Sequence, residues 1–278
     1  MGFFEKLFGK KGQPDSVYTQ NNNYNNTYNN TYNDYQSSQI PSNGVSSLNL
    51  NKEQSLKQLN LRKESIQSLC LEKRELNGLI ARVCMVMDFS GSMEGLYENG
   101  KVQEVIERLL PVAMQFDDNG VMEAWIFSDD SWRITDISLA NYYNYIKNER
   151  LEERYYMGGT RYAPVIQDVC KKYIEEEPAD IPTLVLFITD GDNSDKDTTT
   201  RIITKASHYP IFWQFVGIGR SKFSYLEELD EMEGRFIDNA NFFSVNDLTN
   251  MSDTDLYNKL LGEYPNWITK AKYKGLLK

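Results

Sequence analysis

The chain has 278 residues and a formal net charge of −10, from 40 Asp and Glu against 30 Lys and Arg. This acidity argues against a nucleic-acid-binding protein, which needs basic residues to displace counterions from phosphates. Three scattered cysteines are too few for a disulfide framework. His208 is the single histidine, so the sequence contains no zinc-binding motif. Catalysis by a Ser-His-Asp or Cys-His arrangement would require His208 itself. The apolar runs are too short to span a bilayer, and the N-terminus does not read as a signal peptide. We therefore expect a cytoplasmic protein.

The first 46 residues differ in composition from the rest. Residues 1–11 combine four apolar residues at helical spacing with lysines, which predicts a short amphipathic segment or, alternatively, a frayed terminus. Residues 12–46 are rich in Asn and Tyr and contain few aliphatic residues. Such a segment has little apolar surface to bury, so we expect a disordered linker, with self-association through the Asn/Tyr tract as an alternative.

Residues 47–79 carry a short Leu/Lys repeat. The Leu-x-Leu-x-Lys pattern of Leu48-Asn-Leu50-Asn-Lys52 recurs at 59–63 and 69–73, with a spacing of ten or eleven residues. Apolar pairs three residues apart favour short helical turns that pack on the following domain, although the Leu-x-Leu pieces would also suit short strands.

From residue 80 the chain alternates between predicted strands and helices. Strands are predicted at 81–88, 122–128, 131–137, 183–190, 211–219 and 241–246, and helices at 100–116, 163–177, 194–207, 222–230 and 253–263. Several strands are apolar throughout, as expected when helices cover both faces of a sheet. The pattern predicts an α/β fold with a doubly wound, mainly parallel sheet over residues 80–264 and a hairpin at 122–137. Residues 265–278 carry four lysines and no acid, which we read as a basic, solvated tail; contact of both termini with an anionic membrane surface at its inner face is the alternative.

Polar loops follow two of the predicted buried strands. Asp88 ends the first strand and is followed by Ser90 and Ser92, and Asp190 ends a later one. A third loop holds Thr160 after two glycines. Ligands of doubly wound sheets bind beyond the carboxyl ends of the strands. Hydroxyl and carboxylate oxygens in that place suit a hard cation such as Mg²⁺.

This set of residues resembles a known site. The pattern Asp-x-Ser-x-Ser, a Thr in a Gly-rich loop and an Asp after a later strand resembles the metal-ion-dependent adhesion site of von Willebrand factor A (VWA) domains. The resemblance implies that Ser90 and Ser92 ligate the ion directly, that Thr160 does so directly or through water, and that Asp88 and Asp190 act largely through waters. It also implies a Rossmann-like six-stranded sheet of order 3-2-1-4-5-6 with one antiparallel edge strand.

A narrower resemblance extends over residues 48–268. The segments LNLRKESIQSLCLEK, ARVCMVMDFSGSM and PIFWQFVGIG resemble bacterial VWA proteins of the tellurium-resistance (Ter) group, of the TerF-like kind. This implies a non-catalytic interaction module in a tellurite or chemical-stress response complex, with other Ter-group proteins as partners. Because neutral hydroxyls supply much of the donor set, we expect the ion, Mg²⁺ or alternatively Mn²⁺ or Ca²⁺, to accept an Asp or Glu oxygen from a protein partner.

Two other functions are weighed. A metal-assisted phosphohydrolase would use Asp88 as its nucleophile, but Ser90 stands where such enzymes generally need a second acid. A scaffold could assemble through the Asn/Tyr tract. We expect an interaction module rather than an enzyme.

Further acidic residues near these motifs have simpler interpretations. We interpret Asp192, Asp195 and Asp197 as solvated charges of a loop and a helix start. Asp129 and Asp130 are interpreted as residues of the hairpin turn.

Overall fold

A computed structural model describes residues 50–246 and 251–278, so the predicted segments 1–11 and 12–46 lie outside the described residues. The strands are β1 (Arg82–Asp88), β2 (Met122–Phe127), β3 (Ser131–Ile137), β4 (Thr183–Thr189), β5 (Ile211–Ile218) and β6 (Ala240–Val245). The helices are α1 (Lys52–Glu72), α2 (Glu94–Glu98), α3 (Lys101–Phe116), α4 (Tyr145–Glu149), α5 (Leu151–Arg154), α6 (Ala163–Cys170), α7 (Lys196–Ala206), α8 (Ser224–Asp230), α9 (Asp253–Leu260) and α10 (Tyr264–Tyr273).

The strands form one six-stranded sheet with the order β3-β2-β1-β4-β5-β6. Every neighbouring pair is parallel except β2 and β3, which form the antiparallel hairpin at the sheet edge. The predicted fold class is therefore confirmed. β4 and β5 are buried along their whole length, as their apolar sequences require, whereas the edge strand β3 buries only Ile134 and Ile137.

Helices cover both faces of the sheet and create two cores. Because successive side chains of a strand point to opposite faces, Met85 and Met87 of β1 join one core, while Cys84 and Val86 join the other. The first core is closed by residues of α1, α3, α9 and α10, and the second by residues of α6, α7 and α8. The six strands are thus held from both sides, and their ends are fixed relative to one another.

Within the repeat segment, Lys52–Glu72 form one continuous helix rather than separate short turns. α1 has 21 residues and begins with a capping box, in which Asn51 Oδ1 accepts from the Gln54 amide at 2.9 Å and Gln54 Oε1 accepts from the Asn51 amide at 3.0 Å. The helix packs against α3 and α9, and Leu59 and Ile66 are fully buried there. The repeat therefore contributes side chains to the core of the domain that follows it.

The C-terminal segment differs from the expected solvated tail. Residues 264–273 form α10, whose Trp267, Ile268 and Ala271 are buried against the first core. Its lysines lie on the outer face, so the segment forms an amphipathic helix, although its four lysines had suggested a solvated tail. Among the described residues, no helix combines the length and apolar character needed to cross a membrane.

Candidate metal centre

The candidate centre lies at the carboxyl ends of β1 and β4. These strands are parallel neighbours, and the connections leaving them lead to opposite halves of the sheet, which is the position where doubly wound folds bind ligands. Asp88 is the last residue of β1 and Thr189 the last of β4, and both are fully buried. The Thr189 hydroxyl donates to Asp88 Oδ2 at 2.6 Å, so the sheet register itself orients this carboxylate.

The loop after β1 brings three predicted site residues together with Asp190. The Ser90 amide donates to Asp88 Oδ1 at 2.8 Å, and the hydroxyl oxygens of Ser90 and Ser92 are 3.1 Å apart. Ser92 Oγ donates to Asp190 Oδ1 at 2.8 Å. Asp88, Ser90, Ser92 and Asp190 therefore form one continuous chain of hydrogen bonds that joins two strand ends. The structure thus brings these four residues of the sequence motif together at one place.

The loop that contains Thr160 lies between the other two loops. Ser90 and Gly158 form a parallel β-bridge, with the Gly91 amide donating to the Gly158 carbonyl at 3.0 Å. On the other side, the Thr160 carbonyl accepts from the amide of Ser194 at 2.9 Å and from its hydroxyl at 3.1 Å. The backbone next to Thr160 is thus joined to the Ser90 loop, and Thr160 itself to the loop that follows Asp190.

The two carboxylates of the centre lie in poorly solvated surroundings. Burial raises the pKa of Asp88 to about 6, against the opposing effect of its hydrogen bonds from Ser90 and Thr189, and the nearby charge of Asp190 adds to the rise. Burial also raises the pKa of Asp190, against the hydrogen bond from Ser92. Both shifts mean that two negative charges are costly here, and a bound cation would offset that cost.

The donor set fits a hard divalent cation. The predicted set has two carboxylates and three hydroxyls, and oxygen donors are what Mg²⁺, Mn²⁺ and Ca²⁺ prefer. Within residues 50–246 and 251–278, no group of three or more His, Cys, Asp or Glu side chains is arranged to hold a metal ion. A centre here would therefore need the hydroxyls of Ser90 and Ser92 in addition to the two carboxylates, and the backbone contacts of the Thr160 loop bring Thr160 next to the same two loops.

Two further aspartates hold the Thr160 loop, and the sequence analysis did not assign them this role. Asp129 Oδ2 accepts from the Gly159 amide at 2.8 Å. Asp195 accepts from the amides of Tyr162 and Ala163, at 3.0 and 2.9 Å, and so supplies the start of α6 with acceptors. The interpretation of Asp195 as a solvated charge is wrong, because its side chain is only 11% exposed and both oxygens accept hydrogen bonds.

Asp192 is likewise more than a solvated charge. Its Oδ1 accepts from the Tyr225 amide at 3.2 Å at the start of α8, and its Oδ2 pairs with Lys196 at 2.8 Å. The loop after β4 therefore connects the candidate centre to both α7 and α8. No local sequence signal distinguished Asp192 and Asp195 from solvated loop charges, because their partners include residues about thirty positions away in the chain.

The family is decided by comparison with known proteins. The family model described as "vWA-TerF-like: vWA found in TerF C terminus" matches residues 80–277. The chain belongs to this vWA-TerF-like family. It is also 41% identical over 222 residues to the uncharacterized protein YcbR of Bacillus subtilis (strain 168), which covers 79% of this chain and 90% of YcbR. The chain therefore belongs to a domain family that commonly mediates protein–protein interactions.

Solved structures with the same fold are more distant. A von Willebrand factor type A protein from Catenulispora acidiphila has a TM-score of 0.45 and 12% identity, covering 69% of this chain and 43% of that one. The ArnB paralog VWA2 from Sulfolobus acidocaldarius has a TM-score of 0.40 and 16% identity, covering 66% of this chain and 45% of that one. The vWA-TerF-like chain thus spans less than half the length of these two solved chains.

Proposed function

We propose that the vWA-TerF-like domain binds a protein partner through a Mg²⁺ ion held by Asp88, Ser90, Ser92, Thr160 and Asp190. One observation carries this proposal. The hydrogen-bonded chain from Asp88 through Ser90 and Ser92 to Asp190 gathers oxygen donors from two strand ends, and the Thr160 loop is joined to both sides of it. Such convergence of separate loops on one point is what a binding site requires.

The protein's own residues define how a partner would approach. Asp88 is fully buried and Ser90 nearly so, whereas Ser92 is exposed, so the centre opens to solvent on the side of Ser92. The buried carboxylate of Asp88 is oriented by Ser90 and Thr189 and serves as a fixed negative charge below the hydroxyls. A bound Mg²⁺ would supply positive charge and a coordination position for an outside oxygen. An Asp or Glu side chain of a protein partner is the ligand that fits.

The family resemblance supports a proposal for the biological setting. We propose that the partners are other Ter-group proteins in a response to tellurite or other chemical stress, with Mn²⁺ or Ca²⁺ as alternative ions. A phosphohydrolase that uses Asp88 as nucleophile is less well supported, because Ser90 contributes a hydroxyl where a second acid is needed. Membrane contact through the C-terminal lysines is also less well supported, since Lys274 donates to the Phe236 carbonyl and Lys278 contacts Asp180.

Metal titration tests the proposed ion site. Wild-type protein is expected to bind one Mg²⁺ or Mn²⁺ per chain in isothermal titration calorimetry, and the double variant Ser90→Ala/Ser92→Ala is expected to bind none measurably. The matched control is Ser65→Ala/Ser68→Ala, which removes two hydroxyls from α1 and leaves the centre intact. Equal binding by the wild type and the Ser90→Ala/Ser92→Ala variant would contradict the proposed ligands.

Partner capture tests the proposed interaction. The wild type is expected to capture a partner from cell lysate in Mg²⁺ and to lose it in excess EDTA, whereas Ser90→Ala/Ser92→Ala captures it in neither condition. A partner that is retained equally by both proteins in both buffers would contradict a metal-bridged contact, even if the ion binds.

A further inference from the structure

The turn between β2 and β3 forms two hydrogen bonds with the Thr160 loop. Asp129 Oδ2 accepts from the Gly159 amide at 2.8 Å, a contact between residues 30 positions apart. Two residues later, the Arg161 amide donates to the Ser128 carbonyl at 2.9 Å. The hairpin turn therefore holds the chain immediately before and immediately after Thr160.

The Asp129 carboxylate fills the space beside two glycines. A Cβ on Gly158 would lie 2.4 Å from Asp129 Oδ2, and a Cβ on Gly159 would lie 2.7 Å from Asp129 Oδ1. Both distances are below any contact that real Cβ atoms make, and the same carboxylate is the acceptor for the Gly159 amide. The two glycines are therefore required by the close approach of Asp129.

The backbone is consequently held by hydrogen bonds on both sides of the Thr160 Cα. The amide of Gly159 is held by Asp129, and the carbonyl of Thr160 is held by Ser194. Ser194 belongs to the loop that follows Asp190, so its position is tied to the candidate centre, whereas Asp129 belongs to the edge hairpin. Asp129 thus links an element outside the centre to one of its proposed ligands.

We propose that Asp129 is a positioning residue for the metal centre. Its hydrogen bond from Gly159 would hold Thr160 ready to bind the ion, without Asp129 itself binding the ion. This inference rests on the proposed function, because it assigns a support to one ligand of the same site. Groups that orient metal ligands contribute about 10- to 100-fold to metal affinity, because a loop that is already ordered loses less freedom on binding.

Four single variants distinguish the effect of losing the hydrogen bond from the effect of losing a negative charge. Asp129→Asn keeps an oxygen that can accept from Gly159, so Mn²⁺ affinity, measured by electron paramagnetic resonance, is expected to stay close to wild type. Asp129→Ala removes the acceptor and is expected to weaken Mn²⁺ binding about tenfold. Asp130→Asn and Asp130→Ala are the matched controls on the neighbouring residue, whose carboxylate accepts from the Tyr156 hydroxyl instead. Equal weakening in all four variants would mean a long-range charge effect and would overturn the inference.

A double-mutant cycle tests whether Asp129 acts through Thr160. If it does, Asp129→Ala/Thr160→Ala binds Mn²⁺ no more weakly than Thr160→Ala alone, and the number of exchangeable waters on bound Mn²⁺ rises equally in both. Additive losses would overturn the inference. Should Asp129→Ala fail to fold, Gly159→Ala disturbs the same contact from the other side and is expected to weaken Mn²⁺ binding similarly while Asp129 is present.

The two proposals fail in different ways. Unchanged Mn²⁺ affinity in Asp129→Ala, with binding lost in Ser90→Ala/Ser92→Ala, would refute the role of Asp129 and leave the metal centre standing. Absence of Mn²⁺ binding by the wild type would refute both.

Discussion

Four aspartates near the candidate centre have different roles because their surroundings differ. Asp88 is fully buried at a strand end and faces Ser90 and Thr189, so it contributes negative charge to the centre. Asp190 is partly exposed and is reached by the Ser92 hydroxyl. Asp129 and Asp195 accept from backbone amides of the loop around Thr160 and therefore act on its conformation. The same side chain thus lines the candidate metal centre or supports a loop, according to what faces it.

Gly217 offers a test of packing at a single residue. It lies within β5, and a Cβ there would lie 2.7 to 2.9 Å from the ring of Phe223, which is 5% exposed and packs against Phe242. Because the ring has little room to move, Gly217→Ala is expected to lower the free energy of unfolding by about 1–3 kcal/mol in urea titrations. The control is Gly95→Ala in α2, where no atom lies within 4 Å of the added Cβ and the free energy of unfolding should stay unchanged or rise by about 0.5–1 kcal/mol. Equal effects of both substitutions would contradict this packing argument.

At the same scale, the residues predicted from the sequence are those with a local pattern. Asp88, Ser90 and Ser92 are recognisable because alternate residues of one short loop can aim at one point. The support from Asp129 could not be predicted, because an Asp in a hairpin turn is ordinary and its partner Gly159 lies 30 residues away. A single sequence carries no signal for the long-range contacts of common turn residues.

Among the elements, α1 shows how a charged residue can belong to a buried face. The residues of α1 that face the protein include Ser55 and Arg62 together with Leu59 and Ile66. Arg62 is 3% exposed, and its guanidinium donates to Asp253 of α9 and to the Glu107 carbonyl of α3. The polar members interrupt the apolar spacing, which is why the sequence indicated short turns and the structure has one long helix.

Asp253 joins three helices and offers a test at the scale of elements. It pairs with Arg62 of α1 at 3.2 Å and with Arg108 of α3 at 2.9 Å, and both arginine side chains are at least 96% buried. Asp253→Asn removes the carboxylate that pairs with both of these buried arginines, so the free energy of unfolding is expected to fall by about 3 kcal/mol in urea titrations. The control, Glu153→Gln, removes an exposed pair with Arg150 and is expected to change it by less than about 1 kcal/mol. Similar losses in both variants would show that burial of the pair is not what matters.

At the scale of the whole molecule, the arrangement of strands and loops explains why the fold could be predicted from the sequence and parts of the site could not. Apolar strands that alternate with helices predict a parallel sheet, and a parallel sheet places all carboxyl strand ends at one edge, which brings Asp88 and Asp190 together. The third loop is different, because it does not follow a strand of the sheet and is held in place by hydrogen bonds with the Ser90 loop, the edge hairpin and the loop after β4. Its place was available only from the resemblance to VWA domains.

Buried carboxyl groups distributed over the whole molecule predict how stability depends on pH. Among the described residues outside the candidate centre, every carboxyl group with a shifted pKa has it raised: Glu107, Asp117, Asp136, Asp168, Asp230 and Glu263. The folded protein therefore binds more protons than the unfolded chain above pH 4. Stability gained from these groups is fully present below their unfolded pKa of about 4 and is lost as the pH rises through the folded values.

Asp230 accounts for the loss of stability that occurs nearest to neutral pH. Burial, together with the charges of Glu263 and Asp238, raises its pKa to about 7 against the opposing charge of Arg235. The melting temperature of the wild type, measured in EDTA to exclude metal binding, is therefore expected to fall between pH 6 and pH 8. Asp230→Asn removes this titration, so its melting temperature should fall less over the same range and exceed that of the wild type at pH 8. Glu231→Gln, at an exposed neighbouring position, should follow the wild type, and an Asp230→Asn protein that did the same would show that ionisation of Asp230 costs the fold nothing.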